Sequence, residues 1–116
     1  MSETYGTGQL RKLLRDRHAP KRGSRAEWAY LEEVRNAPGF DASRSLDALA
    51  IHLWPSRGHE IHGYEIKCSR SDWLREVAEP AKAEAFAAWC DRFWVVAAPG
   101  VVRDELPIAW GLLEPA

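Results

Sequence analysis

Two acids and a lysine, Asp47, Glu65 and Lys67, lie in two apolar runs in the middle of the chain. Glu65 and Lys67 are two positions apart within a largely apolar, β-prone run. Because residues i and i+2 of a strand point to the same face, we expect this acid and this base to stand side by side. Asp47 lies in an earlier apolar run, and a turn at residues 55–58 would pair the two runs as an antiparallel hairpin. The spacing therefore predicts that Asp47, Glu65 and Lys67 converge.

Two carboxylates on buried strands are costly to remove from water. A metal ion bridging Asp47 and Glu65 would offset that cost, and hard oxygen ligands suit Mg²⁺ or Mn²⁺. Two simpler interpretations compete with a metal site. Asp47 would then be a strand-start residue bonded to a neighbouring turn, and Lys67 would form a structural ion pair with one of the acids.

Size and composition restrict the class of protein. The chain has 116 residues, which predicts one domain, and its formal net charge of −1 provides no global attraction to nucleic acid or membrane. Its apolar runs are far shorter than a membrane span. The two cysteines, Cys68 and Cys90, occur without a recognisable signal peptide, which favours a reducing, cytoplasmic location.

The pattern of apolar residues, caps and turn formers predicts an α/β protein in which helices flank a small mixed sheet on both sides. Ser24 and Glu27 have capping-box spacing, which predicts a helix from there to about Arg35. The predicted elements are a short basic helix within residues 1–23, this second helix, strands at 46–54 and 59–68, helices after Ser69 and over about 81–90, a strand at 93–98, and a last short strand or extended segment within 107–113.

Several other side chains are candidates for binding. Arg70 and Lys82 lie near predicted helix starts after the second strand, where they could contact phosphates, although an exposed charge is the simpler interpretation of Arg70. Trp54, Trp73 and Trp110 could stack on unpaired bases, but tryptophans at such spacing are mostly core residues.

Three histidines, His52, His59 and His62, invite a zinc interpretation. Their spacing matches no common zinc pattern, so we expect surface or structural histidines. Glu60 is a further acid on the second strand, but it points away from Glu65 and is not placed in the site.

With Asp47 followed by Glu65-Ile66-Lys67 on the next strand, the sequence resembles the PD-(D/E)xK nuclease superfamily, and in particular its Holliday-junction-resolvase-like and MmcB-like DNA repair members. The segment 23–27, Gly-Ser-Arg-Ala-Glu, is similar to a Gly-Ser-x-x-Glu at the start of the first helix in resolvase-like members. Residues 65–74, with Pro80 and Lys82 beyond, also resemble small bacterial and phage proteins of this superfamily. Leu46 replaces the proline that usually precedes the aspartate.

The resemblance implies a restriction-endonuclease-like αβββαβ core over about residues 23–98, a basic helical arm at 1–22 and a C-terminal extension at 99–116. It implies a Mg²⁺- or Mn²⁺-dependent deoxyribonuclease acting in DNA repair, recombination or phage DNA metabolism. Asp47, Glu65 and the carbonyl of Ile66 would hold the metal. Lys67 and Glu27 would complete the catalytic set, and Lys82 and Arg70 would bind the substrate.

Two other functions remain open from the sequence. One is a non-catalytic nucleic-acid-binding module on the same fold, and the other is a structural α/β protein whose ion cluster only stabilises the core. DNA is the expected partner of the nuclease, and a homodimer is plausible because the domain is small. No membrane partner is expected.

Overall fold

The computed structural model describes residues 5–35 and 45–116 of the chain. Five strands and three α-helices are present in these ranges, with one short 3₁₀ turn at Pro55–Arg57. None of these helices is long and apolar enough to cross a membrane. In chain order the elements are α1 (Thr7–His18), β1 (Trp28–Arg35), β2 (Ser45–His52), β3 (Ile61–Lys67), α2 (Arg70–Ala78), α3 (Ala81–Ala87), β4 (Arg92–Ala97) and β5 (Trp110–Leu113).

The strands form one open, mixed sheet in the order β1-β2-β3-β4-β5. β1, β2 and β3 pair antiparallel as a meander, whereas β3, β4 and β5 pair in parallel. The parallel step from β3 to β4 requires a crossover, and α2 and α3 supply it. The predicted fold class, a small mixed sheet flanked by helices, is confirmed, and the elements from α1 to β4 follow the αβββαβ order with two helices in the crossover.

Helices cover both faces of the sheet. On one face, Leu10 and Leu14 of α1 pack with Ala48, Tyr64 and Val96. On the other face, Trp73 of α2 is fully buried against strand β4, and two residues of α3, Ala83 and Phe86, pack on the same strand. Alternation along β3 therefore directs Tyr64 and Ile66 to α1, and Glu65 and Lys67 to the side of α2 and α3.

Helix α1 belongs to the core and is not a separate arm. Leu10 and Leu14 are 0% and 1% exposed, although the helix is basic. Two of its arginines form ion pairs with glutamates of strand β1. Arg11 pairs with Glu33, and the guanidinium of Arg15 donates two hydrogen bonds to Glu32, at 2.7 and 2.9 Å. The amphipathic helix was predicted, but its basic face is partly neutralised by strand β1.

The helix predicted from Ser24 to Arg35 is wrong, because residues 28–35 form strand β1. Every strand residue from Trp28 to Arg35 except Glu33 has a partner on β2. The apolar spacing of Trp28, Leu31 and Val34 fits a helix, but pairing with β2 outweighs this local preference. The residues after Arg35, where this helix was predicted to end, lie outside the described residues.

The predicted β2–β3 hairpin is confirmed. β2 begins one residue and ends two residues before its predicted bounds, and β3 begins two residues later and ends one residue earlier than predicted. Its connection is the predicted turn, in which Gly58 adopts a left-handed conformation with φ 69°. A side chain at this φ would be strained, so glycine suits the position. Ser69 is the N-cap of α2, since its hydroxyl accepts a hydrogen bond from the backbone N–H of Asp72.

The segment after β4 closes over α2 before it returns as β5. The carboxylate of Glu105 accepts two hydrogen bonds from the guanidinium of Arg70, at 2.7 and 2.8 Å, and one from the indole N–H of Trp73. These bonds hold the pKa of Glu105 at about 2. The C-terminal extension predicted at 99–116 is therefore attached to the core and adds the edge strand β5.

The burial of α1 is tested by comparing two leucines on the same helix. We expect Leu10→Ala to lower the free energy of unfolding by about 3 kcal/mol, because the truncation leaves a cavity in the core. Leu13→Ala is the matched control: Leu13 is 41% exposed, so it should cost less than about 1 kcal/mol. Urea denaturation followed by circular dichroism measures both values. Equal, small effects would show that α1 does not pack on the sheet.

His18 gives the fold a pH-dependent stability. Its imidazole is 4% exposed, its Nε2 lies 2.8 Å from the hydroxyl of Tyr64, and its Nδ1 is buried without a bond among the described residues. Burial, aided by the positive charge of Arg17, lowers the pKa of His18 to about 4. The folded protein therefore keeps this imidazole neutral at a pH where the unfolded chain binds a proton.

We predict that the His18 contribution to stability is constant above about pH 6.5 and is lost as the pH falls from there toward 4. His18→Gln should remove about 1 kcal/mol of the difference in unfolding free energy between pH 7 and pH 5. Urea denaturation at pH 7 and at pH 5 measures this difference in unfolding free energy. His59→Gln, at an exposed histidine, is the control substitution. If the stability of His18→Gln changed with pH as much as that of the wild type, His18 would not be the source of the pH dependence.

Candidate active site

The site begins where β2 separates from β3. The regular pairing of the two strands ends at Ala48 opposite Tyr64. Beyond that pair, the Asp47 carboxylate accepts a hydrogen bond of 2.7 Å from the backbone N–H of Ile66. The side chain thus takes a place that a strand carbonyl would fill in a continued ladder. Asp47 is thereby fixed beside the peptide that joins Glu65 to Ile66.

The neighbouring backbone also faces Asp47. In a strand the N–H and C=O of one residue point to the same side, so the carbonyl of Ile66 is directed toward β2 as well. The predicted oxygen ligands from Asp47 and Ile66 therefore lie on the same side of β3.

Glu65 is the buried acid of the site, with 6% of its surface exposed. Burial raises the pKa of Glu65 to about 8, and the negative charge of Asp47 adds to this effect. The positive charge of Lys67 opposes it. Asp47 and Glu65 are therefore close enough for their charges to repel, as the sequence predicted from their strand spacing.

Lys67 is held between two carboxylates. Its Nζ lies 3.2 Å from Oε1 of Glu76 and 4.0 Å from Oε2 of Glu65. The side chains of Lys67, Glu65 and Glu76 are 16%, 8% and 7% exposed, so all three are mostly withdrawn from water. The closer partner of the ammonium is thus the acid on α2.

Sequence reasoning missed Glu76. It lies three positions after Trp73, and both residues are buried on the same stripe of α2. A charged residue on a buried helical stripe needs a partner, so this spacing was the signal that could have identified it.

A cavity of about 250 Å³ opens beside Lys67 between β3 and the two crossover helices. Lys82 is exposed at its wall, and its positive charge lowers the pKa of Glu65. The structure thus brings Lys82 to the site, as predicted. The cavity is lined by Lys67, Asp72, Arg75, Glu76, Glu79 and Lys82.

Arg70 is not available as the predicted substrate contact. Its guanidinium makes the two bonds to Glu105 and a third, of 2.8 Å, to the backbone carbonyl of Val101. Paired hydrogen bonds between a guanidinium and a carboxylate are strong, so these N–H groups of Arg70 are not free to bind a phosphate. The role that the structure gives Arg70 is to attach the C-terminal segment to α2.

Glu27 does not reach the site, which corrects its predicted catalytic role. Its Oε1 lies 2.8 Å from Nε2 of His52, at the far end of β2. Asp47 and His52 are five residues apart on one strand, a separation of about 17 Å. Glu27 was placed near Asp47 because a helix was expected to start at Ser24, whereas the segment leads into β1.

The tryptophans considered for stacking have different positions. Trp73 is a core residue, as expected, with 0% exposure. Trp110 is partly buried and packs against Phe93, with the ring centroids 4.8 Å apart and the rings tilted by 56°. Trp54 is 44% exposed and lies next to His52, away from Lys67.

The oxygen donors fit a hard divalent cation. Within residues 5–35 and 45–116, no three acidic, histidine or cysteine side chains are gathered into a complete metal site. Mg²⁺ does not require one, because it keeps several water molecules and is usually bound by one or two carboxylates together with substrate phosphates. Asp47 and Glu65 supply such a pair of carboxylates, and a cation between them would relieve the repulsion that contributes to the raised pKa of Glu65.

Comparisons of the chain with models of protein families, with curated proteins and with solved structures found no match.

The ion pair between Lys67 and Glu76 leads to a prediction on stability. Glu76→Gln should lower the free energy of unfolding by about 1–2 kcal/mol, since a partly buried ammonium loses its nearest anion while Glu65 remains. Glu79→Gln, at the C-cap residue of α2, is the matched control; this exposed residue should change stability by less than about 0.5 kcal/mol. Chemical denaturation measures the unfolding free energy of both variants. Equal losses of stability would contradict the ion pair between Lys67 and Glu76.

Proposed function

We propose that this chain is a cytoplasmic, metal-dependent DNA nuclease that hydrolyses phosphodiester bonds, and that it is a member of the PD-(D/E)xK superfamily. The observation that carries the proposal is the meeting of two carboxylates, Asp47 and Glu65, with the ammonium of Lys67 on the side of the sheet that faces α2 and α3. These three residues belong to the set that the sequence resemblance implies, which also includes Glu27, and the αβββαβ element order supports the same conclusion.

Asp47 and Glu65, with the carbonyl of Ile66, would hold the cation. A bound Mg²⁺ or Mn²⁺ supplies positive charge that offsets the negative charge developing on the phosphate, and it makes water a better nucleophile. The hydrogen bond from the N–H of Ile66 fixes the Asp47 carboxylate before substrate arrives. Preorganised groups of this kind need little rearrangement during the reaction.

Lys67 would donate hydrogen bonds to the attacking water or to a phosphate oxygen. Its ammonium lies within 4.0 Å of Glu65, so it is next to the proposed reaction centre. The ion pair with Glu76 holds the lysine side chain in this position. Glu76 is thus a positioning residue in the proposal, because it acts through Lys67.

Lys82 would bind the DNA backbone. It is exposed at the edge of the same cavity as Lys67, and a lysine there offers a point charge to a phosphate. This local cation is compatible with the net charge of −1, because the proposed contact is confined to one edge of the fold.

A second candidate is a nucleic-acid-binding module without catalysis. The observation that favours it is the ion pair between Lys67 and Glu76, at 3.2 Å, which provides the lysine with a partner in the absence of substrate. Binding of DNA with a divalent cation but without cleavage would select this alternative.

The nuclease is tested by incubating labelled single-stranded, duplex, flap and four-way-junction DNA with Mg²⁺ or Mn²⁺. We expect cleavage that Asp47→Asn and Lys67→Ala each reduce by at least about 100-fold, since each removes a group that acts on the developing charge. Denaturing gel electrophoresis of the products gives the rates and identifies the preferred substrate form.

Glu27→Gln is the control for this experiment. The structure separates Glu27 from Asp47, so at saturating DNA this variant should cleave within about threefold of the wild-type rate. Loss of cleavage in Glu27→Gln together with full activity in Asp47→Asn would contradict the proposed site. Absence of cleavage on every substrate would remove the nuclease proposal.

A further inference from the structure

A second cavity, of about 340 Å³, lies at the opposite end of the β2–β3 hairpin from Lys67. Trp28, His52 and His62 contribute aromatic rings to its wall, and they lie on the face of the sheet that α1 covers. Its volume is within the range of small-ligand sites. Since it differs from the proposed nuclease site in both face and end, it needs an explanation of its own.

His52 is fixed as a hydrogen-bond donor toward this cavity. Its Nδ1 accepts a bond of 3.2 Å from the backbone N–H of Trp54. A neutral imidazole with Nδ1 acting as acceptor carries its hydrogen on Nε2. That Nε2 lies 2.8 Å from Oε1 of Glu27, so it donates to this carboxylate and holds it at the cavity wall.

His62 repeats the same arrangement on the next strand. Its Nδ1 accepts a bond of 3.0 Å from the indole N–H of Trp94, and its Nε2 donates to Oε1 of Glu60 at 2.7 Å. The same oxygen of Glu60 accepts a bond of 2.9 Å from Nε of Arg92. Two carboxylates are thus anchored at the cavity, each through one oxygen.

The anchored carboxylates leave binding capacity toward a ligand. Within the described residues, the second oxygens of Glu27 and Glu60 make no hydrogen bond, and the guanidinium of Arg57 has no ion pair. Trp28 is half-buried between the imidazoles of His52 and His62, with ring centroids 4.6 and 5.2 Å away. The cavity therefore combines acceptors, a free cation and a fixed aromatic ring.

We infer that this cavity binds one nucleotide unit of a single-stranded nucleic acid, with a base that carries an exocyclic amino group. The carboxylate oxygens would accept hydrogen bonds from the amino group, as Glu does from N4 of cytosine. The indole of Trp28 would contact the base, and Arg57 would bind the adjacent phosphate. A ligand that is only anionic is disfavoured by the two carboxylates, and one that is only cationic is disfavoured by Arg57 and Arg92.

This inference goes beyond the proposed nuclease and does not depend on it. A protein that lacks cleavage would still bind a strand in this cavity. If cleavage exists, the cavity would hold a part of the strand remote from the bond that is cut.

The test uses fluorescence anisotropy of labelled oligo(dC) and oligo(dT) of eight nucleotides at low salt without divalent cations. The two oligonucleotides have equal charge and similar ring size, but only cytosine offers an amino donor. We expect oligo(dC) to bind about tenfold more tightly than oligo(dT). Glu27→Gln should narrow this ratio, because an amide oxygen is a weaker acceptor, and Arg57→Ala should weaken both oligonucleotides several-fold.

Arg103→Ala is the charge-matched control at an exposed arginine, and it should bind like the wild type. Thermal melting of each variant excludes unfolding, and Arg57 is exposed, so its replacement should not disturb the core. Equal affinity for the two oligonucleotides, no binding, or unchanged binding in Arg57→Ala would each overturn the inference.

Discussion

The candidate site depends on one hydrogen bond, from the backbone N–H of Ile66 to the carboxylate of Asp47. The bond ends the β2–β3 ladder and fixes an acid beside Glu65 at the point where the strands part. The cost of burying Glu65 next to this charge appears as the raised pKa of its carboxyl group. Lys67 offsets part of this negative charge, and Glu76, a third carboxylate, holds the lysine in place. A cation held by the two acids would complete this neutralisation, and this is the physical basis of the proposed function.

The sheet separates two regions with different chemistry. Strand alternation directs Glu65 and Lys67 toward α2, while Tyr64 and His62 on the same strand face α1. One hairpin thereby supports an acid–lysine cluster at one end and a histidine–carboxylate cavity at the other, about 17 Å apart. Each region is anchored by hydrogen bonds from backbone or indole N–H groups.

The sequence predicted the hairpin and the acid–lysine cluster because strand period and turn chemistry are local signals. Asp47, Glu65 and Lys67 accordingly converge as expected, and Lys82 lines the same cavity as Lys67. The segment 28–35 was mistaken for a helix because its apolar residues fit both periods, and only pairing with β2 decides between them. The misplacement of Glu27 follows from that error. The partners of Arg70 and Lys67 lie 35 and nine residues away, on elements whose contacts no local pattern specifies.

The most direct test of the account is an anomalous-scattering map from a crystal of the wild-type protein soaked in Mn²⁺. The account predicts a peak within about 2.0–2.6 Å of carboxylate oxygens of both Asp47 and Glu65. This peak should be absent from crystals of Glu65→Gln. A peak only at Glu27 or Glu60, or no ordered Mn²⁺ at saturating concentration, would contradict the assignment of Asp47 and Glu65 as the metal-binding pair.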